Sequence, residues 1–96
     1  MSEASMRLDR YLWFARLVKT RGAAQDLAEA GVLRLDGRRI EKSSVQVRVG
    51  SVLAFPLRGK VRVLRVEALP LRRGPAPEAQ GMYQELTAGS AERPQD

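Results

Sequence analysis

Residues 19–40 read KTRGAAQDLAEAGVLRLDGRRI, and the order of residue types in that run sets the local architecture. Thr20 is of the class whose side-chain oxygen caps the exposed N–H groups of a helix start, Ala23, Ala24, Leu27 and Ala28 recur at helical spacing, and Gly31 offers the left-handed stop. The spacing predicts a helix from Thr20 to near Ala30. Beyond the stop, residues 32–35 and 38–40 flank Asp36-Gly37, a pair tolerant of positive φ and suited to a two-residue type I′ turn. A helix followed by a tight hairpin is therefore expected.

Working outward, Ser5 is positioned to cap a first helix reaching about Val18, with Leu8, Leu12 and Ala15 on one inward arc. After the hairpin, Val45, Val47 and Val49 alternate with Gln46 and Arg48, the pattern of a half-buried strand. Gly50 marks a turn into a strand over 52–57, and Gly59-Lys60 another before a strand through Val61 and Val63 to about Leu69. Pro75 and Pro77 then interrupt the pattern. Pro77 is placed to open a short helix over 77–86, in which Ala79, Met82, Tyr83 and Leu86 fall at helical spacing although Gly81 weakens it. The last ten residues, 87–96, are small and polar and are expected to be disordered. The chain thus reads as one αα-then-β domain over 6–73 with a C-terminal extension over 74–96.

Charge is unevenly distributed. The chain has 96 residues and a formal net charge of +6, but residues 6–73 hold sixteen Lys or Arg against six Asp or Glu, a local +10, whereas 74–96 nets −3. Concentrated positive charge on a small domain points to a polyanionic partner, nucleic acid or an anionic membrane. Fourteen of the seventeen basic residues are Arg, the side chain suited to bidentate phosphate or base contacts. With neither Cys nor His in the chain, disulfides, thiolate metal sites and imidazole chemistry are excluded. No apolar run is long enough to span a bilayer and the N-terminus lacks the pattern of a signal peptide. These features favour a cytoplasmic binding protein without catalytic residues, metal ligands or a cofactor.

The best candidate site is the corner between the two helices. Arg16 falls late in the first helix, Lys19 in the connection, Arg21 at the start of the second and Gln25 one turn on. Thr20 and the free N–H groups of that helix start complete a possible phosphate seat. A solvated charged face would explain the same residues; their clustering at a helix N-terminus favours binding. Arg7 and Arg10 share the outer side of the first helix with Trp13 and Phe14, which could stack unpaired bases. Burial of the two rings under Met82, Tyr83 and Leu86 is the simpler reading of those aromatics. Around the hairpin, Arg34, Arg38, Arg39 and Lys42 form a third group, and alternation sends Arg34 and either Arg38 or Arg39 to one face. Edge protection is the competing role for them. Arg58, Lys60, Arg62 and Arg65 look like a source of diffuse attraction, while Asp9, Asp26 and Glu29 look like helix-face partners of nearby Arg.

Arg7-Leu8-Asp9, Lys19-Thr20-Arg21, Ala24, Ala30-Gly31-Val32, Asp36-Gly37, Val47, Gly50 and Leu53 resemble, in order and spacing, the S4-type RNA-binding domain, or αL motif. The fuller run from Arg7 to Arg16, with Lys19-Thr20-Arg21 and later Glu78, Ala79 and Tyr83, is similar to the bacterial ribosome-associated heat shock protein 15 family. In one respect the hairpin differs: Asp36 stands where Asn is commoner in such domains. The resemblance implies an α+β fold, two or three helices packed on a small, mostly antiparallel sheet. It also implies a non-enzymatic, monomeric binder of ribosomal RNA on the large (50S) subunit, recycling subunits stalled with a nascent chain on tRNA and taking no membrane or small-molecule partner. Arg7, Arg10, Arg16, Lys19, Thr20, Arg21 and Gln25 would face RNA, with Arg34, Arg38 and Lys42 in support. An accessory module of an RNA-modifying enzyme, such as a pseudouridine synthase, is the alternative.

Overall fold

A computed structural model of the chain describes residues 4–86. The elements run β1 (Met6–Arg7), α1 (Leu8–Phe14), α2 (Arg21–Glu29), β2 (Leu33–Leu35), β3 (Arg38–Ile40), β4 (Gln46–Val47), β5 (Val52–Leu57), β6 (Lys60–Val66), α3 (Ala76–Gln80) and β7 (Tyr83–Glu85). All the ladders are antiparallel: β3-β2-β5-β6-β7 form one five-stranded sheet and β1 pairs with β4. Three helices on a small antiparallel sheet is the α+β architecture expected from the sequence.

The second helix and the hairpin match the sequence reading closely. The Thr20 hydroxyl accepts the Ala23 N–H at 3.0 Å, Ala30 closes α2, and Gly31 follows at φ 78°. Asp36 and Gly37 both have positive φ, 52° and 85°, as a type I′ turn requires. Asp36 is also anchored to the neighbouring strand: its N–H donates to the Val52 carbonyl at 2.8 Å and its Oδ1 accepts the Val52 N–H at 2.9 Å. Its carboxylate therefore fastens the hairpin to β5, which accounts for Asp at that position.

The first helix differs at both ends. Ser5 does not cap it; its hydroxyl donates to Gln46 Oε1, because Met6 and Arg7 are extended and paired with Val47 and Gln46. Instead Asp9, in the first turn, accepts the Arg10 N–H at 2.8 Å, doing locally what an N-cap side chain would do. The helix closes at Phe14, four residues early, where Arg16 turns left-handed at φ 58°. The Leu17 and Val18 N–H groups then fold back onto the Leu12 carbonyl, so the corner is built from a tight turn and not from continued helix.

The core joins Leu8, Tyr11, Leu12 and Ala15 of the first helical segment to Ala24 and Ala28 of α2 and to Leu33, Val47, Leu53, Phe55, Leu64 and Val66 from the strands. Ala23, expected on the packing stripe, is exposed, and Leu27 only partly buried. Of the valines at 45, 47 and 49, only Val47 is fully buried and Val49 is exposed, since Gly50 turns the chain after a two-residue strand.

Residues 77–86 do not form one helix. Pro77 starts α3 in its first turn and the helix closes at Gly81, after which Tyr83 pairs with Val66, Gln84 with Arg65 and Glu85 with Leu64. A strand satisfies the alternation of partly buried Tyr83 and Glu85 around exposed Gln84 and completes hydrogen bonding along β6, which a second helical turn could not. The expected disordered tail, 87–96, lies outside the described residues. Tyr11 ties this end of the chain to the core: its hydroxyl donates to the Met82 carbonyl at 2.8 Å, and burial pushes its pKa well above the usual phenol value. Tyr11→Phe removes that bond while the Met82 carbonyl keeps the Glu67 and Ala68 N–H donors, so thermal denaturation should show a loss of about 1 kcal/mol, a drop in Tm of roughly 4 to 8 °C.

Candidate nucleic-acid interface

Asp9 organises the helical corner. Its side chain is fully buried, and four groups converge on its two oxygens. Arg7 grips it with Nε on Oδ1 and Nη2 on Oδ2, both at 3.1 Å. Gln25 Nε2 donates to Oδ2 at 3.3 Å, Arg21 Nη2 stands 3.6 Å from the same oxygen, and the Arg10 N–H takes Oδ1. Burial by itself would raise the Asp9 pKa; the hydrogen bonds from Arg7, Gln25 and the Arg10 backbone, with the Arg7 charge, outweigh it and hold the carboxyl below its ordinary value. One buried anion thus fixes two guanidinium groups that remain partly open to solvent.

Beside them lies the start of α2. Its first turn carries no acidic side chain and includes exposed Gly22; the Thr20 hydroxyl takes the Ala23 N–H, and among the described residues no hydrogen bond engages the Arg21 and Gly22 N–H groups at the positive end of the helix dipole. Thr20 and Lys19 are exposed at the same turn. Arg21 Nε is buried and unpartnered among the described residues. Together these groups present a fixed, positively charged notch with N–H donors, a geometry for holding phosphate oxygens.

Arg16, exposed at the corner, is also engaged within the fold. Its Nε donates to the Gly74 carbonyl at 2.5 Å, so it straps the C-terminal segment to the corner. Arg73 answers from the other side, its Nε donating to the Trp13 carbonyl at 3.1 Å and its Nη2 reaching the Lys19 carbonyl at 3.5 Å. Its guanidinium also lies 5.7 Å from the Trp13 ring centroid. Nothing in the sequence pattern singled out Arg73, because the contact spans sixty residues of chain. Trp13, Met82 and Tyr83 pack against the core as partly buried side chains, and Leu86 remains exposed.

The hairpin cations are divided by strand register. Arg34 pairs across the hairpin with Arg39, and Leu35 with Arg38, so Arg34 and Arg39 share one face and Arg38 takes the other. Arg38 lines a groove with Leu35, Ile40 and Val45, whereas Arg34 and Arg39 line one with Val32, Pro56 and Val61. Arg34 Nη1 reaches the Gly37 carbonyl at 3.4 Å and Arg39 pairs with Glu41. Lys42 is exposed next to Ser43, whose carbonyl accepts the Asp9 N–H and whose hydroxyl donates to Glu29. Among the described residues no hydrogen bond or ion pair links Arg34, Arg38 or Lys42 to the Asp9 cluster. On the late strands Arg62 is held by Glu85 at 2.5 Å and Arg65 by Glu67. No group of acidic residues among those described could hold a metal ion, and no described helix is long and apolar enough to cross a membrane.

Comparison with known proteins agrees with this fold. Residues 6–53 match the S4 domain family. The chain is 36% identical over 93 residues to a heat shock protein 15 homolog of Haemophilus influenzae, covering 97% of this chain and 70% of that one. It is 32% identical over 80 residues to the RQC P-site tRNA stabilizing factor of Streptococcus pneumoniae, covering 82% and 88%. Among solved structures, the trimeric heat shock protein 15 of Vibrio cholerae superposes with a TM-score of 0.82 at 32% identity, covering 91% of this chain and 87% of that one.

Proposed function

This chain belongs to the heat shock protein 15 family of S4-domain proteins, and on that premise we propose that it binds ribosomal RNA on the large subunit without chemistry. Its role would be to help recycle stalled subunits that still carry a nascent chain on tRNA, acting as a monomer in the cytoplasm. The observation that carries the reading is the Asp9 cluster: a buried carboxylate holding Arg7 and Arg21 beside an uncovered helix start. Guanidinium groups oriented before the ligand arrives lose little entropy on binding phosphate, which is the reason to spend a buried charge on them. The similarity to a protein named for stabilizing P-site tRNA supports a ribosomal client.

Two measurements test this. Sedimentation of a lysate should place the protein with free large subunits, and its appearance only at the top of the gradient would reject the ribosomal client. Affinity for large subunits should fall with salt, each phosphate contact contributing about 0.7 to 0.9 to the log-log slope. Arg7, Lys19 and Arg21 together then predict a slope of roughly −2 to −3. A slope near zero would rule out backbone binding at this corner.

A further inference from the structure

The outer side of α1 carries a feature that phosphate binding leaves unused. Arg10 and Phe14, one helical turn apart, form a wall of a groove of about 350 Å³ whose other apolar sides are Met6, Leu69, Pro70 and Leu71. Pro70 is buried and braces the groove, whereas Leu71 stands 97% exposed at its rim. A single exposed leucine is ordinary on a protein surface; this one lines the same groove as Leu69 and Phe14. Arg10 makes no side-chain hydrogen bond or ion pair among the described residues, unlike Arg7 and Arg21, although its backbone N–H belongs to the Asp9 cluster.

The two aromatics of α1 have separate fates. Trp13 receives the Arg73 guanidinium over its ring and packs against the core. Phe14 lies with its centroid 5.6 Å from that of Trp13 at an interplanar angle of 46° and lines the groove. An aromatic ring, an aliphatic rim and an unpaired guanidinium are the three contacts that hold an extruded base and its adjoining phosphate. The volume is at the small end of the range for ligand sites, roughly 300 to 1,000 Å³.

Resting on the RNA-binding reading above, the geometry points to a nucleobase site: the groove between α1 and the 69–71 strap takes one unpaired base of the RNA whose backbone is held at the Asp9 corner. The occupant follows from continuity, since Arg10 belongs to both the groove and the corner, and from charge, since a polyanion brought to Arg7 and Arg21 delivers its bases beside Arg10. The interface would then select RNA with a bulged or unstacked nucleotide next to a paired stem over an uninterrupted duplex. Base stacking on a protein aromatic is worth ~1 to 3 kcal/mol, so the preference should be roughly fivefold or more.

The full chain is titrated with two RNA hairpins that differ only in a single bulged 2-aminopurine. The bulged hairpin should bind at least about fivefold tighter, with the 2-aminopurine emission quenched by stacking on the protein. Phe14→Leu keeps the apolar volume, so the fold holds, and removes the π-face. It should abolish both the quenching and the preference while the uninterrupted hairpin binds as before; Leu71→Ser should reduce the preference. Equal affinity of the unaltered protein for the two hairpins, or a preference that survives Phe14→Leu, overturns the base site while leaving the phosphate corner standing. Failure to bind either hairpin or large subunits overturns both.

Discussion

Asp9→Ala should lower stability by about 2 to 3 kcal/mol and weaken RNA binding at the same time, an outcome readable by denaturant unfolding and by titration with large subunits. Removing one member of a buried ion pair costs roughly 3 to 5 kcal/mol when the orphaned charge stays buried. Here the loss should be smaller, because Arg7 and Arg21 are 41% and 37% exposed and can rehydrate. What cannot recover is the Arg10 N–H in the first turn of α1, which loses its 2.8 Å acceptor. Asp9→Asn keeps an oxygen there and should cost only about 1 to 2 kcal/mol.

The same residue fixes the sign of an acid effect. The folded carboxyl is held below its ordinary value of 3.8, so the unfolded chain binds the proton more readily. The stabilisation from Asp9 is present above the unfolded pKa and disappears as pH falls through the folded one. Stability of the unaltered protein should therefore decline below about pH 4 more steeply than that of Asp9→Asn. Parallel curves for the two proteins would show that the carboxylate is not the anchor described.

Arg7→Gln combined with Arg21→Gln should reduce affinity for large subunits roughly 100-fold, since each charge-assisted contact is worth ~1.5 kcal/mol. The salt slope should become shallower by about 1.5 to 2. Gln can still donate to Asp9, which limits damage to the fold. The informative control is Arg58→Gln with Lys60→Gln, an identical change in net charge on the β5–β6 turn, expected to alter affinity less than about threefold because it acts only through the diffuse field. If both double variants lose affinity equally, net charge and not the corner drives binding.

Local signals in the chain were strong where one short segment contains its own instruction. Thr20, Gly31 and Asp36-Gly37 each dictate backbone geometry through their own side chain or its absence, and α2 and the first hairpin follow directly. Helix signals were weaker wherever a distant segment competed. Ser5 is a good cap in isolation, but Gln46 claims its hydroxyl and β4 claims the backbone beside it. Met82 and Tyr83 suit a helix face equally well, yet β6 offers an open edge that a strand can complete.

For the interface, composition and spacing were enough to place Lys19, Thr20, Arg21 and Gln25 at one corner and Arg7 on the outer side of the first helix, because helix periodicity and a cap operate over a few residues. They could not show that Asp9 binds those groups together, that Arg16 is engaged by Gly74, or that Arg73 returns to brace Trp13 and Lys19. Residue pattern by itself determined the order of elements and the sign of the surface, both being sums of short-range preferences and charge. Only tertiary structure decided which guanidinium groups are tied down and which stay free to meet a ligand, because that choice depends on hydrogen-bond partners brought close by folding and lying up to sixty residues apart.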